Sequence, residues 1–168
     1  MTAKMNRSIF AIGYGDGTAA WWDLATRQRQ AFFDCQYSSG VQLAFSPDGR
    51  LFAAAGLNGL VTVWDVATLQ PRPIGRGYRN ALHDVTFSPD SRRLLATGTS
   101  SKDPVKLWDV QTGRDVATLP GEPGCFSRIG FSPDGITLFA ASMEGTALLR
   151  HAQSWEVIEA KEKEKRAP

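Results

Sequence analysis

The chain is 168 residues long, with 19 Lys and Arg against 17 Asp and Glu, a net charge of +2. That balance is too small to argue for a nucleic-acid or membrane partner, and no apolar run approaches the roughly 18 residues a membrane span needs. With 42% hydrophobic and 21% charged residues, the composition is that of a globular domain with one sizeable core.

The N-terminus, Met1 to Arg7, leads into the short apolar stretch Ile9-Phe10-Ala11-Ile12, which Gly13 ends too early for a signal peptide. Ser8–Gly13, Thr18–Asp23 and Arg29–Phe33 then read as strands. Cys35 and Cys125 lie far apart and are expected to be reduced thiols in a cytoplasmic protein.

Next comes a unit in its clearest form. Val41–Phe45 alternates as a strand, and Ser46-Pro47-Asp48-Gly49 is a turn in which proline presets φ. Arg50–Ala55 is a buried strand, Asn58-Gly59 a hairpin signal and Leu60–Asp65 a β-branched strand. Thr68–Ile74 carries Pro71 and Pro73 and so suits an outer edge. The same order recurs as Ala81–Phe87, Arg92–Thr97, Pro104–Asp109 and Arg114–Leu119. It recurs once more as Cys125–Phe131, Ile136–Ala141, Thr146–Arg150 and Trp155–Ile158.

Two motifs run in step through these units. Trp22-Asp23, Trp64-Asp65 and Trp108-Asp109 are spaced 42 and 44 residues apart, and so are the Phe-Ser-Pro-Asp runs at Phe45, Phe87 and Phe131. A period in the low forties means one supersecondary unit copied along the chain, and it points to propeller blades. In the last copy Arg150-His151 replaces Trp-Asp, and the first copy lacks its innermost strand.

These residues resemble the WD-repeat family of β-propellers over about Ser8 to Ile158. The resemblance implies an all-β fold, a four-blade partial arc of antiparallel four-stranded blades. The blades fall at about 8–34, 41–75, 81–119 and 125–158, and 159–168 form a charged tail. It also implies a hydrogen-bonded tetrad in each blade, to which Trp22, Trp64, Trp108 and Asp16 fit. Asn58 substitutes for a hairpin Asp, Thr97 and Thr99 are the hydroxyl candidates, and Lys102 and Glu144 depart from the pattern. The family's Gly-His dipeptide is absent, so apolar packing is expected to dominate.

The resemblance further implies protein–protein scaffolding through loops between blades and through the hairpins between second and third strands. Those loops offer Tyr14, Tyr37, Arg76, Tyr78, Arg79, Lys102 and Met143 for a protein partner of unknown identity. Four blades are fewer than the family's larger rings hold, so the chain is expected to be a C-terminal part of a longer propeller. Self-association or missing blades would complete the ring.

Catalysis has little support. Gly13-Tyr14-Gly15-Asp16-Gly17 lacks the third glycine of a dinucleotide loop. His83 and His151 have no metal-ligand spacing, and Asp48, Asp90 and Asp134 are turn residues. No enzyme, cofactor or metal is therefore expected. The alternatives are a propeller-type hydrolase or lactonase domain, or a structural part of a signalling protein.

Overall fold

A computed structural model describes residues 9–35, 41–75, 81–100, 105–119 and 124–151. Among them every regular element is a β-strand, and every pairing is antiparallel. The first blade holds β1 (Ile9–Gly13), β2 (Thr18–Asp23) and β3 (Gln28–Asp34), paired in that order. The second holds β4 (Val41–Phe45), β5 (Leu51–Gly56), β6 (Val61–Asp65) and β7 (Pro71–Gly75). Its proline-bearing β7 takes the sheet edge, where a missing N–H breaks no ladder.

The third blade is β8 (Leu82–Phe87), β9 (Arg93–Ser100), β10 (Val105–Asp109) and β11 (Asp115–Leu119). The fourth contributes β12 (Gly124–Phe131), β13 (Thr137–Ser142) and β14 (Ala147–His151). The expected strand Trp155–Ile158 and the charged tail lie outside the described residues.

One feature departs from four separate blades. β9 runs to Ser100, past the expected Thr97, and its end pairs with β12, Thr99 with Cys125 and Ser100 with Gly124. The third and fourth blades therefore share one seven-stranded sheet. The innermost strands β4, β8 and β12 follow one another around the arc, and β1 borders β4.

The Ser-Pro-Asp turns explain the repeat's most regular motif. The Ser46 hydroxyl donates to the Asp48 carboxylate at 2.6 Å and accepts the Leu51 amide at 2.9 Å. The Asp48 carboxylate also accepts the Arg50 amide at 3.0 Å. Ser88 with Asp90 and Ser132 with Asp134 repeat the arrangement. The Asp of each Trp-Asp pair caps the next turn: Asp23 accepts the amides of Ala25 and Thr26, and Asp65 those of Ala67 and Thr68. Asp109 accepts that of Thr112. His151, standing at this position in the fourth blade, bonds Thr137 across the strand pair at 2.9 Å instead.

The core is three apolar clusters, one at each junction between neighbouring blades. Trp21, Phe33, Phe52 and Trp64 fill the first. Ala53, Val61, Val63, Leu94 and Trp108 fill the second. Leu95, Val105, Phe126, Leu138 and Leu148 fill the third. In a strand, successive side chains face opposite sides. Each blade thus has a leading face toward its predecessor, carrying Trp64 or Trp108, and a trailing face toward its successor.

Candidate functional site

Register places the loops at two opposite rims. Val41 pairs with Gly56 and Leu82 with Gly98, so the innermost strands begin beside the hairpins that join second to third strands. On this loop rim Tyr14 is half-buried, its amide bonded to the Thr18 carbonyl at 2.8 Å. Met143 is 75% exposed at the tip of the β13–β14 hairpin, the most exposed large apolar side chain among the described residues. Tyr37, Arg76, Tyr78, Arg79 and Lys102 lie outside the described residues.

A polar line joins the third and fourth blades here. His83 sits in a β-bulge, because the β8–β9 register shifts between Leu82 and Asp84. Bulges re-aim side chains. The His83 Nε2 lies 2.7 Å from the Thr99 hydroxyl, which lies 3.7 Å from the Cys125 sulfur. The β13–β14 hairpin holds the same cysteine by its backbone: the Cys125 amide donates to Glu144 at 3.4 Å, and its carbonyl accepts the Met143 amide at 3.1 Å. Within the third blade, Gly98 lets the chain at Ala81 lie close against β9, since a Cβ there would stand 2.3 Å from the Ala81 carbonyl oxygen.

The expected tetrad residues stand as follows. Asp16 caps its own hairpin, accepting the Thr18 hydroxyl at 2.6 Å and its amide at 3.0 Å. That hydroxyl holds the Asp16 carboxyl below its usual value. Asn58 accepts the Leu60 amide at 3.3 Å. Thr97 is fully buried and its hydroxyl has no hydrogen-bond partner. The hydroxyl that meets a histidine is that of Thr99, and the histidine comes from a strand rather than a Gly-His dipeptide. Trp64 and Trp108 are buried at blade junctions. Trp22 is half-buried and its Nε1 has no partner, while its neighbour Trp21 fills the first junction.

The opposite rim carries a cleft of about 390 Å³ between the second and third blades, which sequence reasoning did not raise. Arg50, Arg72 and Arg92 line it together with Asp48, Asp65 and Asp109. The recurrence of Arg50 and Arg92 behind two Ser-Pro-Asp turns was the available signal. Its carboxylates are engaged by turn amides, and charges of both signs line it. For Asp48, burial pushes the carboxyl up, but the Ser46 hydroxyl and the Arg50 amide outweigh it and hold it below its usual value.

Among the described residues no group of three His, Cys, Asp or Glu side chains is placed to hold a metal ion. No helix among them is long and apolar enough to cross a membrane.

Antiparallel blades packed face to face around an arc define a β-propeller segment. Residues 28–65 match the family model described as WD domain, G-beta repeat. Residues 28–65 are thus a WD repeat, set in a fold of antiparallel blades that forms a partial propeller. No curated protein matches the chain.

Proposed function

We propose that this chain is a protein-interaction scaffold whose loop rim receives a protein partner. The observation that carries the reading is the WD repeat at residues 28–65, built into an arc that holds its hairpins on one rim. WD repeats serve protein–protein interaction in general. Exposed Met143 and the His83–Thr99 pair supply apolar and hydrogen-bonding contacts where the third and fourth blades meet, the mixture an interface centre uses, and half-buried Tyr14 lies on the same rim in the first blade. Tyr78 and Arg79 belong to the same proposed surface. The regular carboxylates, each bonded within its turn, are consistent with a role in folding rather than in acid–base chemistry. Two free thiols, Cys35 and Cys125, support a reducing compartment such as the cytoplasm.

The test is capture by the immobilised chain, comparing wild type with Met143→Glu and with Tyr78→Ala/Arg79→Ala. Recovery of the specific partner should fall by about tenfold or more, the effect of losing a hot spot, while melting temperature holds. Equal recovery by all three proteins overturns the rim assignment.

A further inference from the structure

The three junctions inside the chain follow one rule: a trailing face always meets a leading face. At the first, trailing Trp21 and Phe33 meet leading Phe52 and Trp64. At the second, trailing Val61 and Val63 meet leading Leu94 and Trp108. At the third, trailing Leu95 and Val105 meet leading Leu138 and Leu148.

The described arc ends with one leading and one trailing face uncovered, and both carry the residues of covered junctions. Phe10 and Trp22 stand 42 positions before Phe52 and Trp64 and pair across β1 and β2 as those do across β5 and β6. Phe10 is 50% exposed and Phe32 54%. At the other end Phe139 stands 44 positions after buried Leu95, and Leu149 stands 42 after Leu107. They pair across β13 and β14 and are 43% and 66% exposed. The Phe139 ring lies over Gly130, where a Cβ would stand 2.3 Å from it.

Among the described residues these two faces do not meet, so the described arc is open. Apolar patches of this kind, framed by strands, mark association surfaces. The occupant fitted to a bare leading face is a trailing face of the same repeat, and every copy of this chain carries one.

We propose that two copies of this chain associate head to tail, the β13–β14 face of each on the β1–β2–β3 face of the other. A two-fold axis then makes two identical junctions and unites eight blade positions, within the range that propellers close. This inference is independent of the loop rim: capture by the rim can fail while it holds.

The experiment measures the mass of the full chain by sedimentation over a range of concentrations. Twice 18.3 kDa is expected; a single-copy mass throughout, or an open series of larger species, overturns it. Phe139→Asp and Phe32→Asp change exposed positions and leave the internal junctions intact, so each variant should keep the wild-type circular dichroism. Each should sediment as a single copy when alone. An equimolar mixture should recover dimer, because the variants retain one good junction between them. A variant that dimerises alone, or a mixture that stays monomeric, overturns the head-to-tail arrangement.

Discussion

The carboxyl of Asp84 joins two blades. It follows the β8 bulge, and its Oδ2 accepts the Ile129 amide of β12 at 3.0 Å, while Oδ1 accepts the Val85 amide at 3.0 Å. Burial pushes this carboxyl up; the two amides and Arg128 pull it down without cancelling that effect, so it stays above its ordinary 3.8. A raised carboxyl favours the folded state most when protonated. Its contribution is therefore complete below pH 3.8 and is lost as pH rises through the folded value. Asp84→Asn is neutral at every pH and lacks this term. The melting temperature of wild type relative to Asp84→Asn should be highest at pH 3 and fall toward pH 7. Asp48, Asp90 and Asp134, held below their usual values, pull the absolute curves the other way, but equally in both proteins. A difference that grows with pH would reject the assignment.

At the scale of the element, the turns after the Trp-Asp pairs need a left-handed residue four positions beyond the aspartate. Arg27 has φ 58° and Leu69 φ 59° there, and Gly113 has φ 68°. Each amide at that point bonds the aspartate's own carbonyl, at 2.7, 2.8 and 2.9 Å. A side chain in this conformation costs about 1–2 kcal/mol, and glycine gives back part of that in unfolded-state entropy. Arg27 is exposed, so Arg27→Gly should raise stability by about 0.5–1 kcal/mol, read as a higher urea midpoint at unchanged slope. A lowered midpoint would mean that the side chain does more than occupy a strained position.

Such turns are why so many strands were legible in the sequence. Ser-Pro-Asp and Trp-Asp specify their own local hydrogen bonds, and strand ends follow within a residue or two. The long β9 was not legible. Its last residues, Thr99 and Ser100, are held by β12, more than twenty positions away, and no local pattern encodes that pairing. The His83–Thr99 bond depends on a bulge and escaped for the same reason. Trp21 and Trp22 show a second limit. Alternation puts them on opposite faces, but only the neighbouring blade decides that Trp21 is the one fully covered.

For the whole molecule, stability in a row of repeats is close to a sum of blades and nearest-neighbour junctions. The first junction concentrates aromatic mass: Phe52 lies 5.0 Å from Trp21, 5.5 Å from Phe33, 5.0 Å from Phe45 and 5.8 Å from Trp64, centroid to centroid. It is fully buried, so Phe52→Ala leaves a cavity and should cost about 3–5 kcal/mol. The loss belongs to one junction. The third cluster, with Leu95, Phe126 and Leu138, shares no residue with the first. Hydrogen exchange should therefore show amides of β1–β3 losing protection in Phe52→Ala while those of β12–β14 keep theirs. The shared sheet sharpens the contrast, because β9–β12 hydrogen bonds fasten the fourth blade to the third, whereas apolar contact dominates where the first blade meets the second. Uniform loss of protection across all strands would show instead that the arc unfolds as a single cooperative unit, and that junction energies are not separable along it.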